Sequence, residues 1–172
     1  MVRSALALAR RSLGPLALLT LVGCSSPPPR RPNPTRPVPE RRALEIIARA
    51  ARKARLQPTE GRDITWHGGS TLHLDVVLEP KKWAVAYLTE SDQNAEGATP
   101  APKKDATHAA SLLVVDGARV DAGMHVLVLF ERDYLYDDQA SDERDQTMTT
   151  AENSIERDVT DFLVQAKARG WE

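Results

Sequence analysis

Leu44, Ile47, Ala48, Ala51 and Ala54 recur at spacings of three and four, which predicts a helix over Glu40–Leu56. Pro58 closes it. The period then changes to two. Leu72, Leu74, Val76 and Leu78 alternate with Thr71, His73, Asp75 and Val77, as in a strand. Glu79-Pro80-Lys81-Lys82 suits a turn with Pro at its second position. Trp83–Thr89 returns as a second strand with Trp83, Val85 and Tyr87 on one face. Ser91–Thr107 lacks any large apolar residue and holds Gly97, Pro100 and Pro102, so it reads as a long loop. Ser111–Val115 is a third strand, and Asp116-Gly117 and Asp121-Ala122-Gly123 offer turns. Met124–Glu131 is the fourth strand. Its near-continuous apolar run predicts a central strand buried on both faces. Arg132–Met148 is an acidic connection.

The last helix opens on the capping box Thr149-Thr150-Ala151-Glu152. Ile155, Val159, Phe162, Leu163 and Ala166 form its apolar stripe. Gly170 stands where a left-handed cap belongs, with Trp171 as the hydrophobic contact after it. This order predicts an α+β domain: a four-stranded, mostly antiparallel sheet with an N-terminal and a C-terminal helix packed on it. Ile155, Val159, Phe162 and Leu163 are expected to close over Val126, Val128 and Phe130.

Ahead of the domain, Arg3, Arg10 and Arg11 form a charged start, and Leu13–Val22 is an apolar run broken only by Gly14, Pro15 and Thr20. Ten residues are too few for a spanning helix, which needs about 20. A charged start, a short apolar stretch and small residues make an export signal. The run ends Leu21-Val22-Gly23-Cys24, which resembles the lipobox of bacterial lipoproteins. The resemblance implies a signal peptide over 1–23, cleavage before Cys24, a diacylglycerol thioether on its sulfur and an acyl group on its freed amine. The alternatives are an ordinary secreted protein or a retained signal anchor. Arg10-Arg11-Ser12-Leu13 also resembles a twin-arginine signal, so the export route stays open. In lipoproteins of the enterobacterial type, Asp after the Cys favours inner-membrane retention. Ser25 here implies the outer membrane, if the source has one.

Of the 15 residues from Ser25 to Pro39, seven are proline, and only Val38 could join a core. Residues 24–39 are therefore expected to be a lipidated Cys and an extended tether, and 40–172 a single domain. Arg30, Arg31 and Arg36 could touch anionic headgroups, and the proline run could serve a partner module. Charge sharpens the division. The full chain of 172 residues has 23 Lys+Arg and 24 Asp+Glu, yet no acid precedes Glu40. Residues 40–172 thus carry 17 basic and 24 acidic side chains. An acidic domain argues against general nucleic-acid binding. One Cys excludes an internal disulfide framework. Within the domain, residues 40–56 are net +4 and residues 131–161 net −8. The two segments either face each other across the fold, or stay solvated, or form a two-signed surface for an envelope protein partner.

Candidate chemistry is sparse. His73 and Asp75 share a face of one strand, and with His125 on a neighbour they could converge as three metal ligands. Otherwise they are the solvated face of an amphipathic strand. Asp137, Asp138, Asp142, Glu143 and Asp145 form an acidic cluster of the kind calcium uses, but an EF-hand frame from Asp137 puts Asp142 at the glycine position and Met148 at the glutamate position. Gly68-Gly69-Ser70 precedes a strand, the wrong side for a nucleophile elbow. No phosphate-binding glycine motif occurs, and no cofactor is expected.

A helix, an Asp-bearing strand, a hairpin and a late apolar strand also resemble the core of restriction-endonuclease-like nucleases. That resemblance implies a mixed sheet with Asp75 as a metal ligand. The Glu-x-Lys such enzymes carry on the next strand is replaced by Ala86-Tyr87-Leu88, so the fold would lack its catalytic residues. The function expected from sequence is a lipid-anchored envelope protein with a non-catalytic binding or scaffolding domain. The alternative is an enzyme or metal-dependent binder with an unrecognised site.

Overall fold

The computed structural model describes residues 35–66, 69–94, 102, 112–137 and 146–171. Cys24 and the signal segment lie outside them. The described elements are β1 (Arg36–Pro37), α1 (Glu40–Lys53), β2 (Gln57–Glu60), β3 (Asp63–Thr65), β4 (Thr71–His73), β5 (Val76–Glu79), β6 (Trp83–Leu88), α2 (Glu90–Asn94), β7 (Leu113–Asp116), β8 (His125–Phe130), β9 (Leu135–Tyr136) and α3 (Met148–Ala168). The fold is α+β. The main sheet has five strands rather than four, in the order β2-β5-β6-β8-β7. It is mixed: β6 and β8 run parallel, and the other three pairings are antiparallel.

The extra strand is β2. Gln57-Pro58-Thr59-Glu60 contains no large apolar residue, and a proline has no N–H for a ladder. Both are tolerated because β2 is an edge strand, paired only to β5. Before it, α1 ends at Lys53 rather than Leu56. Arg55 takes a left-handed φ of 64°, and Leu56 N donates to Ala51 O at 3.0 Å.

The strand expected over Leu72–Leu78 is broken in two. Its pairing register is continuous, with Glu60 opposite Val76 and Asp63 opposite His73. The chain bends at Asp75, and Gly61 makes the bend possible on the opposite strand. A Cβ on Gly61 would sit 1.7 Å from the Leu74 carbonyl oxygen. Beyond the bend, β3 and β4 fold over one face of the sheet. Leu72 and Leu74 therefore pack with Val77, Ala84, Ala86, Val126, Val128 and Phe130. Val76 and Leu78 pack on the other face, with Trp83, Val85, Tyr87, Leu127 and Leu129. The turn after β5 closes from Lys81 N to Leu78 O at 3.1 Å, so Pro80 takes its third position, after a cis peptide.

The two long helices cover the second face. α1 buries Ala43, Ile46, Ile47, Ala50 and Ala51, a stripe rotated from the expected one; Leu44 and Ala48 lie at its rim. α3 buries Ile155, Val159, Phe162, Leu163 and Ala166 as expected. Its partners differ: it meets Trp83 and the Leu127–Leu129 face, not Val126, Val128 and Phe130. Strand β8 is buried on both faces, and alternation alone cannot say which face meets the helix. The N-cap of α3 is Thr147, whose side chain accepts from Thr150 N, not Thr149. At the other end Gly170 has φ 66°, and Trp171 N donates to Ala166 O at 3.1 Å. That is the expected left-handed cap.

Glu152 is not the acid of a capping box; it crosses to the other helix. Arg42 donates from Nε and Nη2 to its two oxygens at 2.6 and 2.9 Å. Arg49 donates to Glu156 at 3.0 Å, and Lys53 pairs with the same carboxylate. Part of the charge asymmetry is thus complementarity between two helices lying side by side.

The folded unit begins before Glu40. Strand β1 pairs with β9, Val38 is fully buried, and Tyr87 Oη donates to Val38 O at 2.9 Å. The tether expected over 24–39 therefore gives its last residues to the fold. Where sequence predicted loop after Thr89, the single helical turn α2 forms. Thr89 caps it, accepting from Asp92 N at 3.2 Å, while Asp92 accepts from Thr89 N at 2.9 Å. Among the described residues no helix is long and apolar enough to cross a membrane.

Candidate functional site

The three residues proposed to converge on a metal are held apart by separate partners. His73, on β4, meets Asp63 of the paired strand, Nδ1 to Oδ1 at 2.6 Å, and this hydrogen bond raises its pKa. His125, at the start of β8, meets Asp116 across the β7 pairing at 2.7 Å. Its ring stacks on Trp171 with centroids 4.1 Å apart. Asp75 accepts a hydrogen bond from Tyr87 N at 2.6 Å. Among the described residues no three His, Cys, Asp or Glu side chains are grouped to hold a metal. Asp137 N donates to Gln146 O at 2.9 Å. Asp138 and Asp142 lie outside the described residues.

The place of Asp75 explains its chemistry. At the bend β5 parts from β6, and the Asp75 carboxylate supplies the acceptor that Tyr87 N would otherwise lack. Burial pushes this carboxyl above the usual range, while the bond from Tyr87 N opposes the shift. Asp75→Ala is expected to cost about 1–3 kcal/mol, because it strands a buried N–H. Asp75→Asn keeps an acceptor and removes the desolvated charge, so its urea midpoint at neutral pH should stay close to wild type. Because the folded-state value is raised, stability specific to the Asp75 carboxyl is present at low pH. It is lost as pH rises from 3.8 through the raised value. Unfolding midpoints of the Asn variant should lack that slope. Equal losses for Ala and Asn would contradict this role.

The structure adds a groove that sequence reasoning did not find. It has a volume of about 440 Å³ and lies where the tether joins the fold. Pro37 of β1 and Leu135 of β9 supply apolar wall, and Glu90 and Gln93 of α2 face it with Glu131 and Arg132. Glu131 accepts from Glu90 N at 2.9 Å and so fixes α2 against the turn after β8. Arg132 lies over the Phe130 ring, 4.9 Å from its centroid. Two carboxylates, one guanidinium and the amides of Gln93 and Asn94 beside apolar wall suit a small polar ligand with a cationic group. The groove joins segments about 100 residues apart in the chain, so no local motif announces it. The one local signal was Thr89-Glu90-Ser91-Asp92, a short capping pattern.

Comparison with known proteins assigns no family: no family model, curated protein or solved structure matches the chain.

Proposed function

We propose that the chain is a membrane-anchored envelope lipoprotein whose folded unit is a non-catalytic binding or scaffolding domain. The observation that carries this reading is Leu21-Val22-Gly23-Cys24 behind a charged and apolar leader, with the only Cys of the chain at the acylation position. A thioether-linked diacylglycerol with an N-acyl group supplies more than one chain, which makes anchoring stable. The fold supports the arrangement in one further respect. Because β1 starts at Arg36, a tether could take in no more than residues 25–35, which would span about 34 Å if extended at ~3.1 Å per residue. Thr35 and Pro37 line the groove, so the tether would join the domain beside it. Ser25 favours the outer membrane where the source has one.

Cys24→Ser should move the protein from the membrane fraction to the soluble fraction and abolish labelling by a palmitate analogue. Label retained on the Ser variant would overturn the assignment.

A further inference from the structure

One end of this acidic domain presents an apolar residue among cations. Strands β6 and β8 run parallel from Trp83 and His125 to Leu88 and Phe130. The tether joins at the Leu88–Phe130 end, through the β1–β9 pair. At the opposite end, β7 connects to β8 through a 3-10 turn, Arg119–Asp121. Val120 forms its apex and is 94 % exposed.

This exposure is built in. Asp121 is buried and accepts from Thr65 N at 2.9 Å and Arg62 Nη1 at 2.8 Å. Those bonds hold its carboxyl below the usual range. Ala118 N donates to Thr65 O at 2.8 Å, and Gly117 N to Met124 O at 2.8 Å. Arg119 is held at φ 57°, a left-handed conformation that a side chain resists. The brace fixes that strained residue, and Val120 projects from it.

Arg119 precedes the apex residue, and Lys82 reaches the turn that follows it. The Arg119 guanidinium lies against Gly69, 3.6 Å from where a Cβ would stand. The Lys82 side chain lies against Gly123 in the same way, at 3.8 Å. Lys81 is its chain neighbour, with Nζ over the Trp83 ring, 5.9 Å from the centroid. His125 N bonds to Lys82 O at 2.8 Å, and the His125 ring carries partly buried Trp171, with Arg169 over the indole at 5.1 Å. Among the described residues, the carboxylates of this end are Glu79, Asp116 and Asp121. Asp121 is buried against Arg62, and Asp116 bonds His125.

We propose that this tip is a second membrane contact, in which Val120 seats at the headgroup–acyl boundary of an anionic phospholipid bilayer and Lys81, Lys82 and Arg119 face its phosphates. Trp171 suits the same interface, apolar in its ring and polar at its N–H. The geometry rests on the Cys24 anchor proposed above. Residues 25–35, about 34 Å if extended, would exceed the length of β6 and β8, about 20 Å for six residues. A domain anchored at one end can therefore lie down and bring the other end to the same bilayer. Tethering makes this contact intramolecular and adds to the affinity the tip has by itself.

The single Cys makes a clean test. In the full chain carrying Cys24→Ser, Val120→Cys is labelled with an environment-sensitive nitrobenzoxadiazole dye. Vesicles of phosphatidylglycerol and phosphatidylcholine should shift its emission to the blue, and pure phosphatidylcholine should not. High salt or Lys81→Glu with Lys82→Glu should abolish the shift. Dye at Val164→Cys, exposed on α3, should not respond. No shift with the anionic vesicles, or an equal shift at position 164, would overturn the proposal. So would cross-linking from position 120 to a protein in the absence of a lipid response. Lipidation is removed throughout, so failure here leaves the anchor assignment standing.

Discussion

Phe162→Ala is expected to lower the stability of the fold by about 3–5 kcal/mol. The ring is fully buried under α3 and meets Trp83 edge-on, with centroids 6.5 Å apart. It also meets Trp171, at 6.4 Å. Trp83 is buried as well, and its indole N–H has no hydrogen-bond partner among the described residues. Packing therefore holds the indole, and removing the phenyl ring leaves a cavity that no polar contact can close. Domains of this size are stable by only ~5–15 kcal/mol in total. The urea midpoint of the variant should fall sharply, with tryptophan fluorescence reporting the loss. A wild-type midpoint would mean that α3 does not pack over Trp83.

Gly61→Ala is expected to cost at least about 3 kcal/mol, the upper end of overpacking penalties. The methyl group would meet the Leu74 carbonyl oxygen at 1.7 Å and its carbon at 2.7 Å, both backbone atoms. The hairpin cannot yield, because Leu74 N donates to Arg62 O at 2.9 Å across the same bend. Relief requires opening the turn that lays β3 and β4 over the sheet, which would expose Ile64, Leu72 and Leu74. Amide hydrogen exchange should show protection lost first at Leu74. An alanine variant with unchanged midpoint and protection would contradict the bend as described.

The contrast between these two positions shows what the sequence could reveal. Phe162 belongs to a stripe repeating every three or four residues, and that period names a buried helix face from local information alone. Gly61 lies in a segment without periodicity, and its role depends on Leu74, which approaches only after the hairpin bends. The same reason hid β2, whose Pro58 and polar residues are acceptable only at an edge. Helix charge was legible in part. The +4 of residues 40–56 and the −8 of residues 131–161 are complementary, but only the packed helices show Arg42 on Glu152 and Arg49 on Glu156. Three of the candidate metal ligands illustrate the converse. His73, Asp75 and His125 were linked by assuming one flat sheet, whereas the bend at Asp75 and the register of β7 give each its own partner. The groove beside the tether, formed by chain ends meeting, left almost no local trace.

We propose that the mature chain begins at a lipidated Cys24. Mass spectrometry of the protein purified from its native membrane tests this most directly. The account predicts an N-terminal peptide starting at Cys24 and carrying a thioether-linked diacylglycerol and an amide-linked acyl chain. An unmodified Cys24 within a peptide that continues into residues before it would contradict the account.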